Sequence, residues 1–203
     1  MNILFVGGFL GSGKTTVINR IIRSMTAQGL HAAIVENEIG EISVDQEILS
    51  GGGAKITALS GGCVCSELFG DLLTAIEDVH RQIDPDWLII ETTGLAMLDS
   101  IRNNYETYGS AQIPFYMLAV ADCARFDLLW PVMKPLLKGQ LASADIVLLS
   151  KTDVCAPSEQ LRGVLSEIAP EAAVLDAGSA GEAELWPALE TLLKGIPAHA
   201  GAR

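Results

Sequence analysis

Short apolar runs punctuate the chain at intervals: Ile3–Val6, Ala32–Val35, Trp87–Ile90, Phe115–Val120, Ile146–Leu149 and, more weakly, Ala173–Leu175. Runs this short that are apolar throughout predict strands covered on both faces, the condition of a mostly parallel sheet. Between them the spacing changes to threes and fours. Val17, Ile18, Ile21, Ile22 and Met25 predict a helix that stops near Gly29. Leu68, Leu72, Leu73 and Ile76 mark a second helix, and Leu161, Val164, Leu165 and Ile168 a third that ends before Pro170. The expected fold is therefore α/β with three layers, a central sheet between two layers of helices. Asn37–Gly62 shows no period and contains Gly51, Gly52 and Gly53, so it reads as an adaptable excursion in which a switch could sit. Residues 1–195 are expected to form a single domain, and 196–203, small and polar, a flexible tail.

Composition narrows the picture. Hydrophobic residues make up 49% of the 203, yet no run approaches the ~20 residues that span a bilayer. Met1–Phe5 carries no positive charge and leads straight into glycines, unlike a secretory signal, so a cytoplasmic protein without a membrane partner is expected. Thirteen basic residues against 25 acidic ones give a net charge of -12, which disfavours nucleic acid as a partner. Only two of the four cysteines are neighbours in sequence, so reduced thiols are expected rather than a disulfide framework.

The strongest local signal is Gly8-Phe9-Leu10-Gly11-Ser12-Gly13-Lys14-Thr15, which fits GxxxxGK[ST] between an expected strand and an expected helix. Gly8, Gly11 and Gly13 let the chain curl with its amides inward, and Ser12, Thr16 and the helix start complete a nest for polyphosphate. Lys14 reaches the β- and γ-phosphates, and the Thr15 hydroxyl is a ligand for Mg²⁺. The strand Trp87–Ile90 delivers Glu91 at its carboxyl end, where it could hold magnesium or orient water, and Gly94 could offer its amide to the γ-phosphate. Ser150-Lys151-Thr152-Asp153 resembles the NKxD element: Asp153 would accept the N1 and N2 hydrogens of guanine, a donor pair adenine lacks, and the Lys151 stem would pack on the base. Ser150 replaces the amide that usually braces neighbouring loops, which leaves ATP open beside GTP.

Cys63 and Cys65, two apart before a helix, face one side of an extended segment and can approach one metal ion. Two thiolates do not complete a four-coordinate zinc site, so further ligands, or a second chain, would be needed. Two small residues packed in a tight turn is the plainer reading of the same pair.

GGFLGSGKTT, VENEIGEISVD, LSGGCVCSEL, DWLIIETTGLA, VADCARF and QLASADIVLLSKTD together resemble the CobW-like branch of the CobW, HypB and UreG GTPases over about residues 2–155. The resemblance implies a SIMIBI-type P-loop fold, GTP hydrolysis to GDP and phosphate, and a metallochaperone role with Zn²⁺ or Co²⁺ as cargo. It implies Lys14, Glu91 and Asp45 as catalytic residues, Thr15, Glu91, Glu38, Cys63 and Cys65 as metal residues, and Glu41 as a further switch residue. The implied client is a metalloprotein or corrinoid enzyme, with cobalamin biosynthesis one setting. The family's thiol motif usually reads CxCC, whereas Ser66 stands at the third position here. About fifty residues follow Asp153 and the histidines are isolated at His31, His80 and His199, so the GTPase domain is expected without the family's C-terminal domain. A homodimer through the thiol loop, pooling Cys63 and Cys65 from both chains, would supply four sulfurs. Two other functions compete: a nucleotide-dependent regulator or scaffold of a metalloenzyme that transfers no metal, and a small-molecule kinase. The kinase lacks an arginine-rich lid, since Arg102 and Arg125 are the only arginines between Gly94 and Gly139.

Overall fold

The structure, a computed structural model, describes residues 1–36, 69–181 and 183–202. Strands and helices alternate through them: β1 (Asn2–Gly7), α1 (Lys14–Ala27), β2 (Ala32–Glu36), α2 (Phe69–Gln82), β3 (Trp87–Glu91), α3 (Leu98–Tyr108), β4 (Phe115–Asp122), α4 (Phe126–Leu141), β5 (Ile146–Ser150), α5 (Glu159–Ile168), β6 (Ala173–Asp176) and α6 (Leu185–Gly195). The six strands form one sheet in the order β2-β3-β1-β4-β5-β6. Every pairing among the described strands is parallel. The chain builds one side of β1 first and then crosses to the other, so strand order reverses beside β1. In open α/β sheets that reversal opens the ligand crevice at the carboxyl ends of the strands.

The pleat sends alternate residues to opposite faces. Leu4 and Val6 join α1 and α6 in one core, while Ile3 and Phe5 join α2, α3, α4 and α5 in the other. The expected three layers, the six strands and the helices at 17–25, 72–76 and 161–168 all appear. Helices α3, α4 and α6 were not legible. α4 carries Pro131 and Pro135 and bends at Met133 (φ -119°, ψ 19°), because each proline removes an N–H from the ladder. No helix among the described residues is long and apolar enough to cross a membrane.

The segment after α6 departs from the expectation of a loose tail. His199 pairs with Phe115 through two backbone hydrogen bonds, at 2.9 and 3.1 Å, and the Gly201 amide donates to the Ser110 carbonyl at 3.1 Å. The His199 ring meets Asp145 at 2.8 Å and also contacts Arg102, which donates to the Ser143 carbonyl. A Cβ on Gly201 would lie 2.0 Å from the Gly109 carbonyl oxygen, so only glycine permits the crossing. Sequence gave no sign of this order, since its partners lie at residues 102–145.

Phe115 organises the centre of the larger core. It is fully buried, with ring centroids 6.0 Å from Phe5, 4.9 Å from Tyr105 and 5.2 Å from His199. Phe115→Ala should lower unfolding free energy by about 3–5 kcal/mol, read as an earlier urea midpoint at unchanged slope. A loss under about 1 kcal/mol would show that the core collapses around the missing ring.

Candidate nucleotide-binding site

Six residues separate β1 from α1, and three of them are glycines at φ 145° (Gly8), 69° (Gly11) and 93° (Gly13). A side chain at Gly8 would also strike the Val120 carbonyl at 2.6 Å. The loop therefore curls as L side chains rarely can. α1 begins with no side-chain cap and no acidic residue in its first turn. Its leading amides and dipole thus meet no negative side chain of the helix's own, which suits an anionic ligand.

Lys14 is 7% exposed, and its ammonium donates to the carbonyls of Gly8 at 2.9 Å and Phe9 at 3.4 Å. The lysine is therefore held against the loop it serves rather than extended into solvent. Parallel pairing sets Val6 beside Glu91, so β3 carries that carboxylate to the same end of the sheet. There the Thr15 hydroxyl donates to Glu91 Oε1 at 2.9 Å. A hydroxyl and a carboxylate, both hard oxygen ligands lying within one hydrogen bond of each other, fit Mg²⁺.

The turn after β3 leans on the loop. A Cβ on Gly94 would lie 2.8 Å from both the nitrogen and the Cα of Leu10, so the two backbones touch. Buried Gln140 of α4 donates to the Gly94 and Ala96 carbonyls, each at 3.1 Å, and fixes that turn.

On the other side a pocket of about 300 Å³ opens among Thr16, Arg20, Ser150, Lys151, Asp153 and Gly178. Its volume lies within the range of small-ligand sites. Asp176 accepts hydrogen bonds from the Thr152 hydroxyl and from the Gly178 and Ser179 amides, while Arg20 holds the Ala177 and Ala180 carbonyls. These contacts bring the turn after β6 against the Lys151–Asp153 loop. Ser150 corrects the expectation drawn from its identity: its hydroxyl donates to the Ser12 carbonyl at 2.7 Å and lies 3.2 Å from that of Ala121. The brace between loops survives the change from amide to hydroxyl.

Asp122 and Arg125 were missed. The Asp122 side chain is 3% exposed at the end of β4. It takes Lys151 Nζ at 2.7 Å and Arg125 Nε at 2.6 Å on one oxygen, and the Ala124 amide at 3.1 Å on the other. Burial pushes its pKa up, but the bonds from Lys151 and Arg125 outweigh this and hold it below the usual carboxylate value. Each cation also reaches the phosphate loop: Arg125 donates to the Leu10 carbonyl at 2.9 Å and Lys151 to the Gly11 carbonyl at 3.0 Å. The signal in the sequence was the acid ending an apolar run with an arginine three residues on.

Gly8, Gly11, Ser12, Gly13, Lys14, Thr15, Thr16, Glu91, Gly94, Lys151 and Asp153 thus gather around one crevice. Glu38, Glu41, Asp45, Cys63, Cys65 and Ser66 lie outside the described residues. Burial pushes the Cys123 thiol up to about 11, so it stays protonated, whereas Cys155 is exposed. Among the described residues no group of three His, Cys, Asp or Glu is arranged to hold a metal.

The model of the CobW/HypB/UreG nucleotide-binding domain matches residues 2–176. Zinc chaperone YjiA of Escherichia coli (strain K12) is 31% identical over 180 residues, covering 85% of this chain and 56% of that protein. The crystal structure of Zn(II)-bound YjiA GTPase from E. coli superposes with a TM-score of 0.64 at 26% identity, covering 89% of this chain and 58% of that one. The hydrogenase maturation factor HypB from Archaeoglobus fulgidus also gives a TM-score of 0.64, at 19% identity and over 95% and 90% of the two chains, a likeness of fold. The chain spans about half the length of the curated relatives it matches. With its P-loop, strand-end acid and Lys151–Asp153 loop gathered around one crevice, the chain belongs to the CobW/HypB/UreG family and carries that family's nucleotide-binding domain.

Proposed function

We propose that this protein binds and hydrolyses GTP and uses the change of nucleotide to control delivery of a divalent metal, zinc foremost, to a metalloprotein client in the cytoplasm. The observation that carries the hydrolytic half is the 2.9 Å contact between Thr15 and Glu91 beside the glycine loop. Loop amides and Lys14 hold the triphosphate, and the Thr15 and Glu91 oxygens are the residues that would hold Mg²⁺. When bound, that ion offsets negative charge on the β- and γ-phosphates. The Gly94 amide, in the turn packed against Leu10, would report the terminal phosphate. Asp153 accepts the two guanine donors and rejects adenine by leaving a carboxylate without its hydrogens.

The metal half draws on the family and on zinc chaperone YjiA. Cys63 and Cys65 supply thiolates, with Glu38 and Asp45 as switch residues, on the strength of the sequence resemblance. A symmetric dimer pooling both thiol pairs would give zinc four sulfurs. A corrinoid enzyme is one client of the kind the resemblance implies, and cobalt is the alternative cargo.

Glu91→Gln should reduce kcat for GTP hydrolysis about 100-fold or more while GDP still binds. A kcat left unchanged in a phosphate-release assay would remove Glu91 from the reaction. Because coupling between sites is reciprocal, zinc affinity should shift about fivefold or more when a non-hydrolysable GTP analogue is bound. The shift should vanish in the Cys63→Ser, Cys65→Ser double variant. Zinc titrations that coincide with and without the analogue would exclude nucleotide-controlled delivery.

A further inference from the structure

Asp122 is a buried carboxylate on which two cations converge, and each cation continues to a different, consecutive carbonyl of the phosphate loop. Resting on the reading of this crevice as a GTP site, we propose that Asp122 is a positioning residue for nucleotide binding: it aims Arg125 and Lys151 at Leu10 and Gly11, and so sets which way the loop's amides face.

The argument is one of peptide geometry. A peptide unit is planar and trans, so its N–H points away from its C=O. The Leu10 carbonyl shares its plane with the Gly11 amide, and the Gly11 carbonyl shares its plane with the Ser12 amide. Drawing both carbonyls towards Arg125 and Lys151 turns both amides the opposite way: the Ser12 amide donates to the Phe9 carbonyl at 3.0 Å and closes the arc, and the Gly11 amide is left on the side away from the two cations, as a donor for an anion. Glycine at 11 makes the arc pliable, so its direction depends on what grips it; a Cβ there would lie 3.1 Å from the Arg125 guanidinium.

Only a carboxylate can do this. Lysine and arginine are donors without acceptors, and both meet the same Asp122 oxygen. Asparagine keeps one acceptor oxygen for the two cations but no charge to neutralise them, and its donor nitrogen would then face the Ala124 amide, itself a donor. Lys151 also belongs to the base-reading loop, at φ 59°. The same carboxylate therefore ties base recognition to the shape of the phosphate cradle.

The test compares wild type, Asp122→Asn, Arg125→Met and the double variant, by binding of fluorescent N-methylanthraniloyl-GDP and steady-state GTP hydrolysis. Asp122→Asn should weaken GDP binding and raise KM for GTP by about tenfold or more, with kcat per folded molecule within about threefold. Arg125→Met, at a site 39% exposed, should raise KM about threefold or more. Adding it to Asp122→Asn should cost much less than that product, because both remove one linkage. A role in stability alone would lower the folded fraction and apparent kcat while leaving KM in place, and that result overturns the proposal. So do KM values that multiply independently in the double variant, or an Arg125→Met KM equal to wild type should Asp122→Asn not fold. Failure of wild type to bind GDP would instead sink the GTP reading itself.

Discussion

Between the last residue of β1 and the first of α1 the chain has six residues in which to reverse, keep its amides available and still lie close to its neighbours. Nothing else at the site can be placed until that turn is made. A side chain in the left-handed region costs on the order of 1–2 kcal/mol, and here three positions lie at positive φ. Glycine relieves that strain but leaves the loop with little direction of its own. The direction comes from outside: Lys14 holds Gly8 and Phe9, Arg125 holds Leu10, Lys151 holds Gly11 and Ser150 holds Ser12. Every carbonyl from Gly8 to Ser12 is gripped by a side chain.

The parallel sheet explains why these grips arrive from so many places. All six strands run the same way, so β1, β3, β4 and β5 end on one side, and their last residues are Gly7, Glu91, Asp122 and Ser150. Register makes this quantitative: Val6 lies beside Glu91 and Asp122 beside Ser150. An antiparallel neighbour would have presented its other end. The polar residues of the site are thus the first ones after each buried apolar run, as the chain leaves the core.

That also marks what could be read in advance. The phosphate loop and Glu91 were legible because their signals are local, a fixed glycine spacing and an acid closing an apolar run. Asp122 has the same local signature, but its role depends on partners at 10, 11, 125 and 151, which only the strand order brings together. Ser150 was misjudged because residue type suggested a lost brace, while register places its hydroxyl within reach of Ser12. α4 was hidden by Pro131 and Pro135, which break the rule by which helices are recognised and leave it bent at Met133. The segment at 197–201 was hidden because order there comes from Phe115, Asp145 and Ser110 rather than from its own residues.

To bind a polyphosphate, as proposed, a protein of net charge -12 must reverse its own field locally. Among the described residues, cations around the cradle include Lys14, Arg125 and Lys151, but Asp122 offsets part of the latter two, and Glu91 adds a negative charge at Thr15. Unit charges 4 Å apart repel by about 4 kcal/mol at the effective dielectric of a protein surface, so a carboxylate and a γ-phosphate cannot share this end of the sheet unaided. Thr15 and Glu91 are the residues that would hold a divalent cation, whose charge would offset that repulsion. On the proposed reading, the position of Glu91 is therefore itself an argument that a nucleotide would arrive with magnesium, and that losing the terminal phosphate would change the balance of charge that holds Glu91 and Thr15 together.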